Sequence, residues 1–274
     1  MNTQTLVAFD DMLAPLDGGN AVQVAPAWGQ GRATFGGLVA ALLYRRAAAV
    51  LRARGEDLAQ KPPRSLSFSL VAPLAPGDAC VEVSVLRAGK SVIQAEARIL
   101  QQGQVAAMML ASFGASRVSE VIITPEPAPA FAAPADLQAL PYIAGVTPEF
   151  TQHFEFRWAV GKLPFVEKAT TGDMGGYVRF RQPTHGFGVD HLLGLVDAWP
   201  PAVLPMFSKP APISTLAWTI EFTDAALPAR GDDFVQYLAQ TDFSAQGYAH
   251  IHSRTWRRDG ALLAIGRQTV AIFA

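Results

Sequence analysis

Residues 28–50 read WGQGRATFGGLVAALLYRRAAAV. Gly29, Gly31, Gly36 and Gly37 precede an Ala/Leu-rich run of helical character. Glycines ahead of a helix either cradle a phosphate or let backbone pack closely. A dinucleotide-binding turn needs G-x-G-x-x-G, and Thr34 stands where the third glycine belongs. A P-loop needs G-K-[ST], and Gly36-Gly37 lead into Leu38. The expectation is close packing, with small residues seating the start of a helix against a sheet.

The rest of the chain bounds what such a helix can belong to. A length of 274 residues allows one large domain or two small ones, and half the residues are hydrophobic, enough for a substantial core. A net charge of −1 and a pI of about 6.5 lack the basic footprint of a nucleic-acid binder. Cys80 is the single cysteine, so no intramolecular disulfide forms. Its run, ACVEVSVL, suggests a buried structural thiol. The N-terminus, MNTQTLVAFDDMLAPL, has no basic region followed by an apolar one, and the apolar run at 36–44 is too short to span a bilayer. A soluble cytoplasmic protein that enters no membrane is expected.

Residues 119–148 hold six prolines and many alanines, which marks an extended connector between 1–118 and 149–274. The two flanking segments repeat one order of elements. In the first, a helical run over 35–51 leads to RSLSFSL, a strand with Leu66, Phe68 and Leu70 on one face, then to strands separated by the turns RAGK and QQGQ. In the second, GFGVDHLLGLVDAWPP leads to STLAWTIEF, with Leu216, Trp218, Ile220 and Phe222 on one face, and again to a run of strands. Phe35 matches Phe187, Leu66 matches Leu216 and Gly103 matches Gly260, at offsets of 152, 150 and 157 residues. The near-constant offset argues for an internal duplication. Each half reads as a long helix followed by a mostly antiparallel sheet that wraps it, an α+β arrangement.

GRATFGGLVAALL, PPRSLSFSLVAPLAPGD and the ordered C-terminal set DAWPP, ISTLAWTIEF and WRRDGALLAIGRQ together resemble the acyl-CoA thioesterase II (TesB-like) family. The resemblance implies a double hotdog, hydrolysis of an acyl-CoA thioester without cofactor or metal, and assembly into dimers or larger homo-oligomers. It also implies a carboxylate, a glutamine and a threonine or serine acting on water. The matching positions are Asp197, Gln268 and Thr215.

The residues themselves bear on that assignment. Asp197 ends a helical run amid Leu195, Val196, Ala198 and Trp199, so burial should raise its pKa toward that of a useful base. Gln268 is the only polar side chain on a strand face with Leu262, Ala264, Gly266, Val270 and Ile272, so its amide must find a hydrogen-bond partner. Strict alternation sets Thr215 opposite the Trp218 face and puts Ser214 on it, so either hydroxyl qualifies. The family often has Asp-His-Ser after this threonine, where the chain has Leu216-Ala217-Trp218.

Stepping back by the repeat offset from Asp197 and Gln268 reaches 40–45 and Ala111, with no carboxylate or amide, so the C-terminal half is expected to supply the catalytic groups. Backbone amides around 188–190 are the expected oxyanion donors, while Asp190 reads equally as an N-cap. Lys209, Arg254, Arg257 and Arg258 are candidates for coenzyme A phosphates, and His250 and His252 read as a polar outer strand face rather than a zinc site. No G-x-S-x-G elbow is present. An enoyl-CoA hydratase of this fold would show Asp followed five residues later by His; Leu195 follows Asp190 and Ala202 follows Asp197 at that spacing. A non-catalytic acyl-binding double hotdog is the remaining alternative.

Overall fold

The computed structural model describes residues 6–273 apart from 167, 224–226, 229 and 231. Two short helices, α1 (Phe9–Leu13) and α2 (Pro15–Gly18), open the described chain. Strand β1 (Ala21–Val24) and the small hairpin β2 (Gly29–Gln30) and β3 (Ala33–Thr34) lead into the long helix α3 (Gly36–Ala53). Four strands complete the first half: β4 (Pro63–Leu70), β5 (Gly77–Ala88), β6 (Val92–Gln101) and β7 (Gln104–Gly114). The second half runs β8 (Phe154–Val160), β9 (Asp173–Phe180), helix α4 (Val189–Asp197), then β10 (Ile213–Phe222), β11 (Val235–Ala245), β12 (Tyr248–Trp256) and β13 (Leu262–Ile272).

All strands but β2 and β3 join one sheet in the order β1-β5-β6-β7-β4-β10-β13-β12-β11-β9-β8. Helices α3 and α4 lie on its inner face, and the architecture is a double hotdog. Helix α3 buries Leu38, Leu42, Leu43, Ala47 and Leu51, which recur at the three-and-four spacing of one helix face. Helix α4 is half as long and is buried almost throughout, ending before Pro200-Pro201. The β6–β7 turn carries positive φ at Gln102 (53°) and Gly103 (76°), the conformation a two-residue hairpin favours. Gly260, its match before the last strand, also has positive φ (89°).

The halves fuse where β4 pairs antiparallel with β10, with Phe68 opposite Trp218 and Leu66 opposite Ile220. Phe68 and Trp218 stack at 5.1 Å across this seam. One landmark pairing is corrected here. A β-bulge interrupts β10 between Thr215 and Ala217, and it turns Leu216 outward to 40% exposure while Leu66 is fully buried. The inward residues of β10 that correspond to Leu66, Phe68 and Leu70 are therefore Trp218, Ile220 and Phe222. A second correction concerns Cys80, which is half-buried rather than in the core. The proline-rich stretch has no strand between β7 and β8 among the described residues, and it packs on the second half: Gln236 donates to the Pro129 carbonyl at 2.6 Å and Phe131 meets Tyr177 edge-on at 6.0 Å.

Ile220 sits fully buried beside the seam. Truncation to Ala should cost about 2–5 kcal/mol, the usual range for a large-to-small core change. Because the sheet is continuous, both halves should melt in one transition at lower urea; two separated transitions would show that the seam does not couple them.

Candidate active site

Helices α3 and α4 pack antiparallel. The start of α3 reaches the end of α4 at Asp197, while Arg45 in mid-α3 donates to Asp190 at the start of α4 at 3.0 Å. This crossing puts a carboxyl from one half against a helix N-terminus from the other. The Gly37 amide donates to the Asp197 carboxyl. A Cβ on Gly36 would lie 2.7 Å from Asp197 Oδ2, and one on Gly37 would lie 3.1 Å from Asp197 Cβ and 2.4 Å from the Phe35 ring. Side chains at both positions would collide, so the double glycine is a spatial requirement. The opening glycines therefore seat the helix against a carboxylate as well as a sheet. Neither Gly36 nor Gly37 has a left-handed φ.

Strand β13 supplies the second group. Gln268 points inward between Gly266 and Val270, and its Nε2 donates to Asp197 Oδ1 at 2.9 Å. With the amide nitrogen committed, the carbonyl oxygen is the acceptor that remains for a water. Burial pushes the Asp197 pKa from its ordinary 3.8 up to about 7, against the lowering effect of the hydrogen bonds from Gln268 and the Gly37 amide. The Asp197 residue as a whole is half-buried, at the edge of the buried C-terminal turn of α4.

Thr215 lies opposite Val270, two residues from Gln268 along β13. The bulge after Thr215 shifts its alternation, so it shares the inward face with Trp218, and Ser214 is exposed. That reverses the strict-alternation expectation for the two hydroxyls. No hydrogen bond joins Thr215 to Asp197 or Gln268 among the described residues, so the structure brings together two of the three residues directly and places the third on the same face.

The expected oxyanion donors around 188–190 are at the wrong end of α4. The N-cap is Gly188, not Asp190, and the Gly188 amide donates to His191 Nδ1 at 3.0 Å. Asp190 is tied to Arg45, and burial notwithstanding, His191 and Arg45 hold its carboxyl below the usual range. The free helix start is that of α3, whose N-cap residue Phe35 makes no side-chain cap, and the Gly36 amide has no acceptor among the described residues. The double glycine before a helical run was the available signal for this contribution from the first half.

One further group near Asp197, Tyr237, was not singled out from the sequence. Tyr237 is buried, close enough for the Asp197 charge to raise its pKa along with burial, and it shares a hydrogen bond with Ser253. Trp199 stacks on Tyr237 at 5.4 Å. Elsewhere, His250 pairs with Thr269 at 3.2 Å and His252 with Asp242 at 2.6 Å, and no cluster of metal-ligating side chains occurs among the described residues. Arg254 pairs with Glu126, and Arg257 with Asp259 at 2.5 Å.

The pseudo-symmetric position in the first half is blank. Gln268 faces Trp218 across β10 just as Ala111 faces Leu66 across β4, and Ala111 is 2% exposed. Among the described residues, it is the second half that sets a strand amide against a helix-end acid.

Residues 126–272 match the family model described as acyl-CoA thioesterase C-terminal domain, and residues 24–114 match acyl-CoA thioesterase N-terminal domain. The chain belongs to the acyl-CoA thioesterase family. Among solved structures it is similar to a hot dog protein of unknown function from Alicyclobacillus acidocaldarius, at 25% identity and TM-score 0.82 over 97% of this chain and 98% of that one. It shares its fold with the tesB protein of Mycobacterium avium subs paratuberculosis, at 17% identity and TM-score 0.74 over 97% and 100% of the two chains. The acyl-CoA thioesterase II TesB2 of Mycobacterium marinum aligns at 19% identity and TM-score 0.67 over 93% of each. No curated protein matches. No helix among the described residues is long and apolar enough to cross a membrane.

The raised acid has a measurable consequence for stability. Between pH about 4 and about 7 the native state holds a proton that the unfolded state has released, so stability falls as pH rises through that window. Asp197→Asn removes this penalty. Its melting temperature relative to wild type should climb from pH 4 to pH 8; a constant difference would mean that Asp197 titrates normally in the fold.

Proposed function

We propose that this protein hydrolyses an acyl-CoA thioester to a free acid and coenzyme A, with Asp197 as general base. The observation that carries the reading is a buried carboxyl with a pKa near neutrality, held by Gln268 and set against an open helix N-terminus. A base whose pKa lies near the working pH combines a populated carboxylate with real proton affinity. Water sits between Asp197 and the Gln268 carbonyl, with Thr215 as a third positioning group from the same face. Asp197 takes a proton as the water oxygen attacks the thioester carbon. The carbonyl oxygen gains negative charge and accepts from the Gly36 amide at the positive end of α3. The intermediate collapses, the carbon–sulfur bond breaks, and Asp197 gives its proton to the departing thiolate. One water is consumed and one acid and one thiol appear. A further copy of the chain is the expected assembly partner.

The chemistry would draw on both halves, the acid and amide from the second and the glycine helix start from the first. Thiol release from a panel of short, long and aromatic acyl-CoAs tests this. Asp197→Asn should lose about a hundredfold to ten-thousandfold in kcat with little change in binding. Wild-type kcat/KM should rise with pH along a limb centred near 7 as the carboxylate forms. Wild type inactive on every ester, or Asp197→Asn fully active, sinks the proposal.

Gly36→Ala examines the first half's share. Its Cβ would overlap Asp197 Oδ2 and push the carboxyl off its water. A misplacement of about 1 Å costs roughly a hundredfold, and kcat should fall by that order while the fold, followed by circular dichroism, persists. Wild-type rates in this variant would remove the start of α3 from the mechanism.

A further inference from the structure

The inner face beyond Gln268 is floored by small residues. Gly266 lies two positions along β13, Ser253 opposes it on β12, and Ala239 opposes Ser253 on β11. Gly266 has no left-handed φ, so its lack of a side chain is again a matter of space. A Cβ there would lie 2.5 Å from Ser253 Oγ and 3.5 Å from Trp218 Nε1.

The Ser253 hydroxyl and the Trp218 indole N–H thus converge over the backbone of Gly266. Trp218 is 4% exposed, and its indole N–H has no acceptor. Its ring is fixed from the far side by the stack on Phe68. Ser253 is buried as well, and its bond to Tyr237 leaves further hydrogen-bonding capacity on the hydroxyl. Buried indole N–H groups usually find a partner. Those of Trp199 and Trp256 are unpaired as well, and that of Trp218 is set apart by lying over a glycine beside the Ser253 hydroxyl, a pairing of polar groups that invites an acceptor from outside the chain. Trp218 faces Gln268 directly across the strands, so this donor lies beside the water-holding amide, and Gly266 is about 7 Å farther along β13. A purely aliphatic chain would leave the N–H unsatisfied there.

We propose that Trp218 and Ser253 form an acyl-recognition subsite for an oxygen, hydroxyl or oxo, carried on the acyl chain. Trp218 donates to that oxygen, and Ser253 accepts from a substrate hydroxyl or donates to a substrate carbonyl. The specificity is therefore for oxygenated acyl-CoAs over their unsubstituted counterparts. The placement of the chain rests on the thioester reading above, but recognition can be measured without turnover.

The experiment compares octanoyl-CoA with 3-hydroxyoctanoyl-CoA and 5-hydroxyoctanoyl-CoA by calorimetry, on Asp197→Asn to prevent hydrolysis. At least one hydroxy ester should bind about three- to tenfold tighter than octanoyl-CoA, the scale of one net hydrogen bond. Adding Trp218→Phe, which keeps an aromatic ring against Phe68 and deletes the donor, should bring that ratio to about one. Ser253→Ala should reduce the ratio independently, which guards against a misfolded tryptophan variant. Equal affinities for all three esters, or a preference that survives both substitutions, overturns the subsite. A preference that both substitutions erase, in a protein whose wild type releases no thiol, upholds the subsite and removes hydrolysis alone.

Discussion

The contact between the Asp197 carboxyl and the glycine start of α3 is the constraint on which the site depends. An acid at the C-terminal end of its own helix faces the negative pole of that helix dipole, and burial adds to the cost of charging it. The opposing terms come from other elements: the Gly37 amide at the positive pole of α3, and the Gln268 amide on β13. A pKa near 7 is the balance of these contributions. Remove the donors and the acid stays protonated; open it to water and it becomes an ordinary surface aspartate. The antiparallel crossing of α3 and α4 sets this balance, and the glycines make the crossing close enough.

That crossing depends in turn on the seam. If the two sheets were not joined through β4 and β10, nothing would fix the end of α4 against the start of α3. Phe68 and Trp218 stack across the join, and Gln268 stands opposite Trp218 on the next strand. The stack that fuses the halves is thus one strand away from the amide that holds the acid. Packing and chemistry share residues here, which explains why a large aromatic occupies a position where the first half has Leu66.

Much of this was legible in the sequence for identifiable reasons. The repeated order of helix, strand and strand-turn-strand is carried by hydrophobic periodicity, which survives when identities do not. The solitary amide on an apolar face marked Gln268, and an acid among Leu195, Val196, Ala198 and Trp199 marked Asp197. What failed was local. A bulge adds one residue to a strand and reverses every inward and outward assignment before it, so Thr215, Ser214 and Leu216 were read on the wrong faces. No residue in Ser-Thr-Leu-Ala-Trp announces that bulge. The choice between the two helix starts failed for another reason: it is a tertiary fact, settled by which end of α3 meets Asp197, and spacing along the chain cannot supply it.

The two helix starts also show how a duplicated fold comes to have one such site. At α4, the Gly188 amide is taken by His191 Nδ1 and the His191 amide by Asp190 Oδ1. His191 then bonds Asp10 on α1 at 2.8 Å, and Arg45 ties Asp190 to Asp17 on α2. Side chains from the N-terminal helices fill that end with charge, and the neighbouring strand position is Ala111. At α3, the corresponding end carries no side-chain cap, and glycines leave it open toward Asp197. Helix geometry supplies anion-binding potential at both ends alike; what distinguishes them is which one the surrounding side chains have already satisfied. The first becomes a structural lock for α1 and α2, and at the second the Gly36 amide has no acceptor among the described residues.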